Sequence, residues 1–181
     1  NKMLEQQLVN ALSLGCVYAL FALGFTLIFG VLGVINLSHG AIFMVGAYAA
    51  EQAVARFALP LWGALLFAFV FCGLLGLAVD VLVLRPLRAR NAPHLIPMIA
   101  TIGVAIILNN SVQGIFGAES LRFPPGLVPE DLLMFGGLQL TALELGIIFL
   151  SFGLMAALLL ALKKTQFGRA LRAIAESPKA A

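Results

Sequence analysis

"LWGALLFAFVFCGLLGLAVDVLVL", residues 61 to 84, contains a single charged residue, Asp80. Its apolar residues do not alternate with polar ones, so it is not a strand of a membrane barrel. About 20 helical residues cross the ~30 Å hydrocarbon layer of a bilayer, and this stretch is long enough to do so. It reads as a transmembrane helix, whose backbone groups are all satisfied internally. The same reasoning marks four more spans, at about 8–34, 37–55, 94–116 and 139–162. The expected fold class is therefore all-α: a polytopic transmembrane helix bundle with five spans. Residues 1–164 form the membrane domain, and residues 165–181 form a cytoplasmic segment.

Composition points the same way. Of 181 residues, 62% are hydrophobic and 10% are charged, whereas a soluble domain is about 45–50% apolar and about 25% charged. Too few charges remain to clothe a soluble globule. The net charge of +3 comes with no basic stripe carrying interleaved aromatics, so nucleic-acid binding is set aside. Cys16 and Cys72 lie inside apolar runs without metal-ligand or redox spacing and are read as small helix-packing residues. The first apolar run is too long for a cleaved signal peptide, and Met3 is a candidate initiator.

The links between spans set the expected orientation. Arg85, Arg88 and Arg90 follow the third span, and Lys163, Lys164, Arg169, Arg172 and Lys179 follow the fifth. The positive-inside rule places both groups in the cytoplasm, and the two spans between them agree with that. The acidic link with Glu119, Glu130 and Asp131 then lies outside, as does the N-terminus. Small residues recur every four positions at Ala11, Gly15 and Ala19, at Gly46 and Ala50, and at Gly153, Ala157 and Ala161. Such ridges allow close helix approach, within the bundle or between subunits.

Polar residues inside this apolar chain are the candidates for function. Asn36, Ser38 and His39 sit on the short link before the second span. Gly24, Gly30 and Gly33 offer places to end or bend the first helix. Asn36 or Ser38 is expected to N-cap the second helix, and all three polar residues are candidates to line a translocation path at a helix N-terminus. His39 has no carboxylate at helical spacing, so no proton relay is expected. In the fourth span, Asn109 and Gln113 share a face and either bond between helices or meet solute. Thr101, Asn110 and Ser111 accompany them, and Pro97 is read as a first-turn proline. Asp80 is expected to pair or snorkel near Arg85. Glu51, Arg56 and Glu144 lie near the outer interface. With no carboxylate at the midplane, an ion-coupled carrier is disfavoured. The tail places Phe167, Leu171 and Ile174 on one helical side, suited to a lipid surface or to a groove in a partner.

Three stretches carry a family resemblance. "ALGFTLIFGVLGVINLSHGAIFMVGAYAA" (22–50) resembles the N-terminal signature of LivH-type permeases of branched-chain amino-acid ABC importers. "LRPLRARNAPHLIPMIATIGVAIIL" (84–108) resembles the next block of that family, and "FGRALRAIAESPKAA" (167–181) resembles the start of its cytoplasmic coupling motif. The resemblance implies a permease subunit in a bacterial inner membrane. It implies as partners a second related permease, two ATP-binding cassette subunits and a periplasmic substrate-binding protein. Phe167, Gly168, Arg169, Ala170, Leu171, Arg172, Ala173 and Ala175 would contact the ATPase. The chain has no GxxxxGK[ST] phosphate loop, and neither a cofactor nor enzymatic activity is expected of it. Members of the family continue with further spans, so the chain is expected to be an N-terminal fragment that does not transport alone. Urea or short-amide importers have similar permeases and remain the nearest alternative. An ion-coupled carrier and a cargo-free membrane scaffold are the more distant ones.

Single cysteines introduced at positions 90 and 125, in a background lacking Cys16 and Cys72, test the orientation. A membrane-impermeant thiol reagent on intact cells should label position 125 and spare position 90. The reverse pattern would overturn it.

Overall fold

The computed structural model describes residues 2–93, 95–117, 132–135, 138–166 and 168–170. Helices dominate, as the composition requires. In chain order they are α1 (Lys2–Leu32), α2 (His39–Phe57), α3 (Leu61–Val79), α4 (Arg85–Ala89), α5 (Leu95–Phe116) and α6 (Ala142–Lys164). A π-helical turn, Asp80–Leu84, joins α3 to α4 without a break, so the third hydrophobic helix runs from Leu61 to Ala89. Large apolar side chains such as Phe69 (76% exposed), Leu82 (74%) and Phe149 (74%) point outward. In a water-soluble fold that would be a severe penalty; here lipid is the solvent. The chain is a multi-pass membrane protein.

The span count differs from the sequence expectation. Among the described residues four helices are long and apolar enough to cross a bilayer: Met3–Gly30, Leu61–Ala89, Leu95–Phe116 and Glu144–Lys164. The stretch expected as a second span, 37–55, does form a helix, α2, but it is not among them. His39, Glu51, Gln52 and Arg56 within its 19 residues dilute its apolar character. The fifth span also begins later than expected. Residues 138–141 form strand β2, paired antiparallel with β1 (Leu132–Phe135), with Leu132 opposite Thr141 and Phe135 opposite Leu138. Gly136-Gly137 between the two apolar runs is a hairpin signal. α6 then starts in a capping box. Thr141 Oγ1 accepts from the Glu144 N–H at 3.2 Å, and Glu144 Oε2 accepts from the Thr141 N–H at 3.0 Å. This is the structural role of Glu144, and the Thr-x-x-Glu spacing encodes it.

Two compact units divide the chain: Asn1–Gly33 with Val128–Ala181, and Val34–Leu127. In the first unit α1 packs against α6, with Ser13 and Cys16 of α1 and Ser151 of α6 buried. The small residues Ala11, Gly15, Gly153, Ala157 and Ala161 are exposed and leave this packing to their neighbours. α1 runs through Gly24 and Gly30 and ends at Gly33, which takes a left-handed φ of +64° while its N–H donates to Phe29 O at 2.8 Å. A glycine is the least costly residue for that conformation.

In the second unit α2 packs against α3 and α5. Its core is Ala50, Ala53 and Val54 of α2 against Ala64 of α3. Gly46, one turn before Ala50, faces Cys72 so closely that a Cβ there would lie 2.7 Å from Cys72 Sγ. The Gly46–Ala50 ridge therefore serves packing within the chain. α2 ends with Ala58 at φ +49°, its N–H bonded to Val54 O at 3.0 Å, while the Leu59 N–H reaches back to Ala53 O at 3.3 Å. Asp80 pairs with Arg88 across the π turn. That turn falls just before Pro86, whose ring would press on the Leu82 carbonyl in a continued α-helix.

Gly46→Ala should destabilise the protein by about 1–3 kcal/mol through overpacking, read as a lower midpoint of thermal unfolding in detergent. Adding Cys72→Ala should restore most of the loss. If the double substitution is no better than the single one, the contact does not set the helix separation.

Candidate functional site

The break between α1 and α2 has to satisfy backbone groups that no helix serves. Side chains do it. Asn36 Oδ1 accepts both the Ser38 N–H at 3.1 Å and the Ser38 hydroxyl at 2.6 Å. Thr101 of α5 accepts the Leu37 N–H on Oγ1 at 3.1 Å, and its own hydroxyl proton goes to Met98 O at 2.7 Å. Asn36 is 6% exposed, and Ser38 and Thr101 are fully buried. Pro97, also buried, sits in the first turn of α5 just before Met98. The result is a closed polar node that fixes the start of α2 to the first third of α5. Among the described residues no buried side-chain polar atom is left without a partner.

The expected capping takes a different form. Ser38 occupies the N-cap position of α2, but its side chain makes no capping bond. The hydroxyl is committed to Asn36, whose side chain spans two residues in an Asx turn. The helix is closed by backbone instead: the Ser38 carbonyl accepts from Ile42 at 2.9 Å, and the His39 N–H reaches Asn36 O at 3.3 Å. His39 itself is half-buried in the first turn of α2.

Asn36, Ser38 and His39 are thus together, and Thr101 joins them. Asn109 and Gln113 do not. They are exposed on α5, about 12 and 18 Å beyond Thr101 along the helix axis. Their neighbour Asn110 bonds back to Ile106 O at 2.8 Å. The sequence signal for Thr101 was its polarity inside an apolar span. What the sequence lacked was the pairing across 64 positions.

The tail is described as far as Ala170, except for Phe167. Phe167, Leu171, Arg172, Ala173 and Ala175 lie outside the described residues. After α6 the Thr165 N–H closes on Ala161 O at 3.2 Å, and Thr165 Oγ1 accepts the Gly168 N–H at 3.0 Å. Arg169 N–H donates to Thr165 O at 3.1 Å. A Cβ on the buried Gly168 would collide with the carbonyls of Ala161 and Leu162. Only a glycine lets the chain turn this tightly against the end of α6. Arg169 and Ala170 follow on the surface. Lys163 and Lys164 in the last turn of α6 complement its negative end. Among the described residues no three His, Cys, Asp or Glu side chains gather to hold a metal ion.

Comparison with known proteins gives one consistent family. The family model for the permease component of branched-chain amino acid transport systems matches residues 7–181. The high-affinity branched-chain amino acid transport system permease protein BraD of Pseudomonas aeruginosa is 34% identical over 96% of this chain and 60% of its own length. The corresponding LivH of Escherichia coli K12 is 32% identical over 97% of this chain and 60% of its own. A probable branched-chain amino acid permease, LivH, of Methanocaldococcus jannaschii is 32% identical over 90% of this chain and 52% of its own. The chain thus spans little more than half the length of these relatives. No solved structure matches it.

Thr101→Val keeps the shape but removes the acceptor for the Leu37 N–H. It should cost about 1–3 kcal/mol, the penalty of a buried unpaired donor, whereas Thr101→Ser should stay within about 1 kcal/mol of the parent. Unfolding midpoints of the two variants in detergent check this. Equal midpoints would mean that the cross-helix bond does not hold the link.

Proposed function

We propose, because the chain belongs to the permease components of branched-chain amino acid transport systems, that it forms part of the membrane path by which such a system imports leucine, isoleucine and valine. The observation that carries this reading is the family match across residues 7–181, which takes in both the polar link and the tail. The working unit is an assembly in a bacterial inner membrane. It pairs this permease with a second related one, two ATP-binding cassette subunits and a periplasmic substrate-binding protein. Hydrolysis of ATP belongs to the cassette subunits, and the permease converts their closure into movement of its spans. Residues 1–164 form the membrane domain and 165–181 the coupling segment.

Each part of the chain has a task in this scheme. An apolar path suits branched aliphatic side chains, and the zwitterionic end of the cargo needs a few polar contacts. The start of α2 supplies them. Its positive helix end attracts a carboxylate, and His39 stands in that first turn. Asn36 and Ser38 satisfy each other, so their share is to hold the helix end rigid beside the path. Asn109 and Gln113 serve the opposite end of the path. At the cytoplasmic end, the tight turn at Gly168 leads into Arg169 and Ala170, and the contact with the ATPase is assigned to 167–175. Phe167, Leu171, Ala173 and Ala175 give this segment apolar contact, and Arg172 gives it charge.

Reconstitution of the full-length permease with the proteins encoded beside it tests the reading. Leucine uptake into proteoliposomes should require both ATP and the binding protein. Urea uptake without leucine uptake would replace the cargo, and uptake driven by an ion gradient without the ATPase would overturn the class. Arg172→Glu should abolish stimulation of ATP hydrolysis by the loaded binding protein while the assembly still purifies. Full stimulation would remove the coupling role.

A further inference from the structure

The second unit holds an apolar groove of about 410 Å³ that the transport scheme does not use. Its origin is geometric. α5 packs against the π turn and α4, but farther along α3 and α5 diverge, while α2 packs against both and forms the floor. α2 and α5 run in the same direction: Leu37 meets Thr101, and Tyr48 stacks on Phe116 with ring centroids 5.2 Å apart. α3 runs the opposite way, with Phe67 near Phe57 at 6.2 Å and stacked on Phe71 at 6.1 Å. The groove follows α2 from Val45 to Arg56, about 16 Å along the helix axis. Aromatic rings wall it along α3. Gln52 and Arg56 stand at one end of it, and Ser111 of α5 lines it nearer the other.

Arg56 is the chemical clue. It is exposed in the last turn of α2 and makes no ion pair or hydrogen bond among the described residues. Gln52 beside it is already engaged with Glu51 at 2.6 Å. The groove therefore offers a long apolar slot that ends at one uncommitted cation.

We propose that this groove holds one acyl chain of a phospholipid, with the lipid phosphate on the Arg56 guanidinium. An apolar slot of this kind does not retain water, and left empty it would forfeit dispersion contacts along its whole lining. An acyl chain restores them, and a phosphate offers the guanidinium a charge-assisted, bidentate partner. The bound lipid fills the gap between α3 and α5 and fixes their separation. This inference rests on the second unit alone and stands whatever the cargo.

Tryptophan quenching by phospholipid with brominated acyl chains tests it. In the full chain, Trp62 is replaced by Phe and a reporter placed at Phe71→Trp in the groove, with Leu75→Trp as a second reporter. Phe69→Trp, on the outward face of the same helix, is the control. When brominated phosphatidylglycerol is titrated into protein in detergent, the groove reporters should saturate at about one lipid per protein. The control should follow bulk lipid. Arg56→Gln should raise the lipid needed for half-saturation about tenfold, the contribution of one charge-assisted contact. Brominated diacylglycerol, which lacks the phosphate, should bind the parent as weakly. Identical titrations at positions 71 and 69 would overturn the proposal, as would indifference to Arg56→Gln. Displacement of the brominated lipid by millimolar leucine would also overturn it and assign the groove to cargo.

Discussion

A backbone N–H in hydrocarbon has to find its acceptor inside the protein. Helices meet that demand automatically, which is why the described residues are mostly helical. The demand becomes specific wherever a helix stops. Between α1 and α2 it is met by Asn36 accepting from Ser38 and by Thr101 accepting from the backbone of Leu37. At Ala58 a residue in the left-handed region returns two N–H groups to the end of α2. Before Pro86 the helix widens into a π turn instead of breaking. At Thr141 a capping box starts α6. Asn36, Ser38, Thr101, Thr141 and Glu144 are spent on these interruptions.

Packing within the second unit follows from the solvent. Lipid is as apolar as leucine, so helices in it gain little from hiding leucine and more from close backbone approach. Gly46 against Cys72, and Ala50 and Ala53 against Ala64, provide that approach between α2 and α3. Bulky side chains are turned outward or splayed around the groove between α3 and α5. The same rule explains why α2 can be the least apolar of the long helices and still be central. It meets α3 and α5 through small residues and keeps Glu51, Gln52 and Arg56 together near its end.

In the proposed function, the polar node at the start of α2 is the part of this architecture that lies beside the path. A permease has to keep a passage through lipid without exposing backbone to it. A helix end held by Asn36, Ser38 and Thr101 presents an oriented positive dipole while its own groups remain satisfied. At the other end of the chain, Gly168 lets the segment after α6 turn back against the carbonyls of Ala161 and Leu162. Both places combine a break in a helix with a residue that makes the break tolerable. The family match spans them together.

The long apolar runs, the membrane class and the family were legible from the sequence, because length and hydropathy are summed along the chain and need no partner. The capping box was within reach, since Thr141 and Glu144 are three residues apart, but the expected span began at 139 and left Glu144 at the outer interface. The pairing of Leu37 with Thr101 was not, because nothing local links positions so far apart and any polar residue of α5 was equally eligible. The same reason separates Asn109 and Gln113 from Asn36: polarity marks candidates, and helix direction decides which of them meet. Ser38 was rightly placed at a helix start but wrongly given the capping bond, since a nearby Asn36 carbonyl competes for its hydroxyl. Which small-residue ridge would pack inward, and where a groove would open beside Arg56, followed only from how three helices cross.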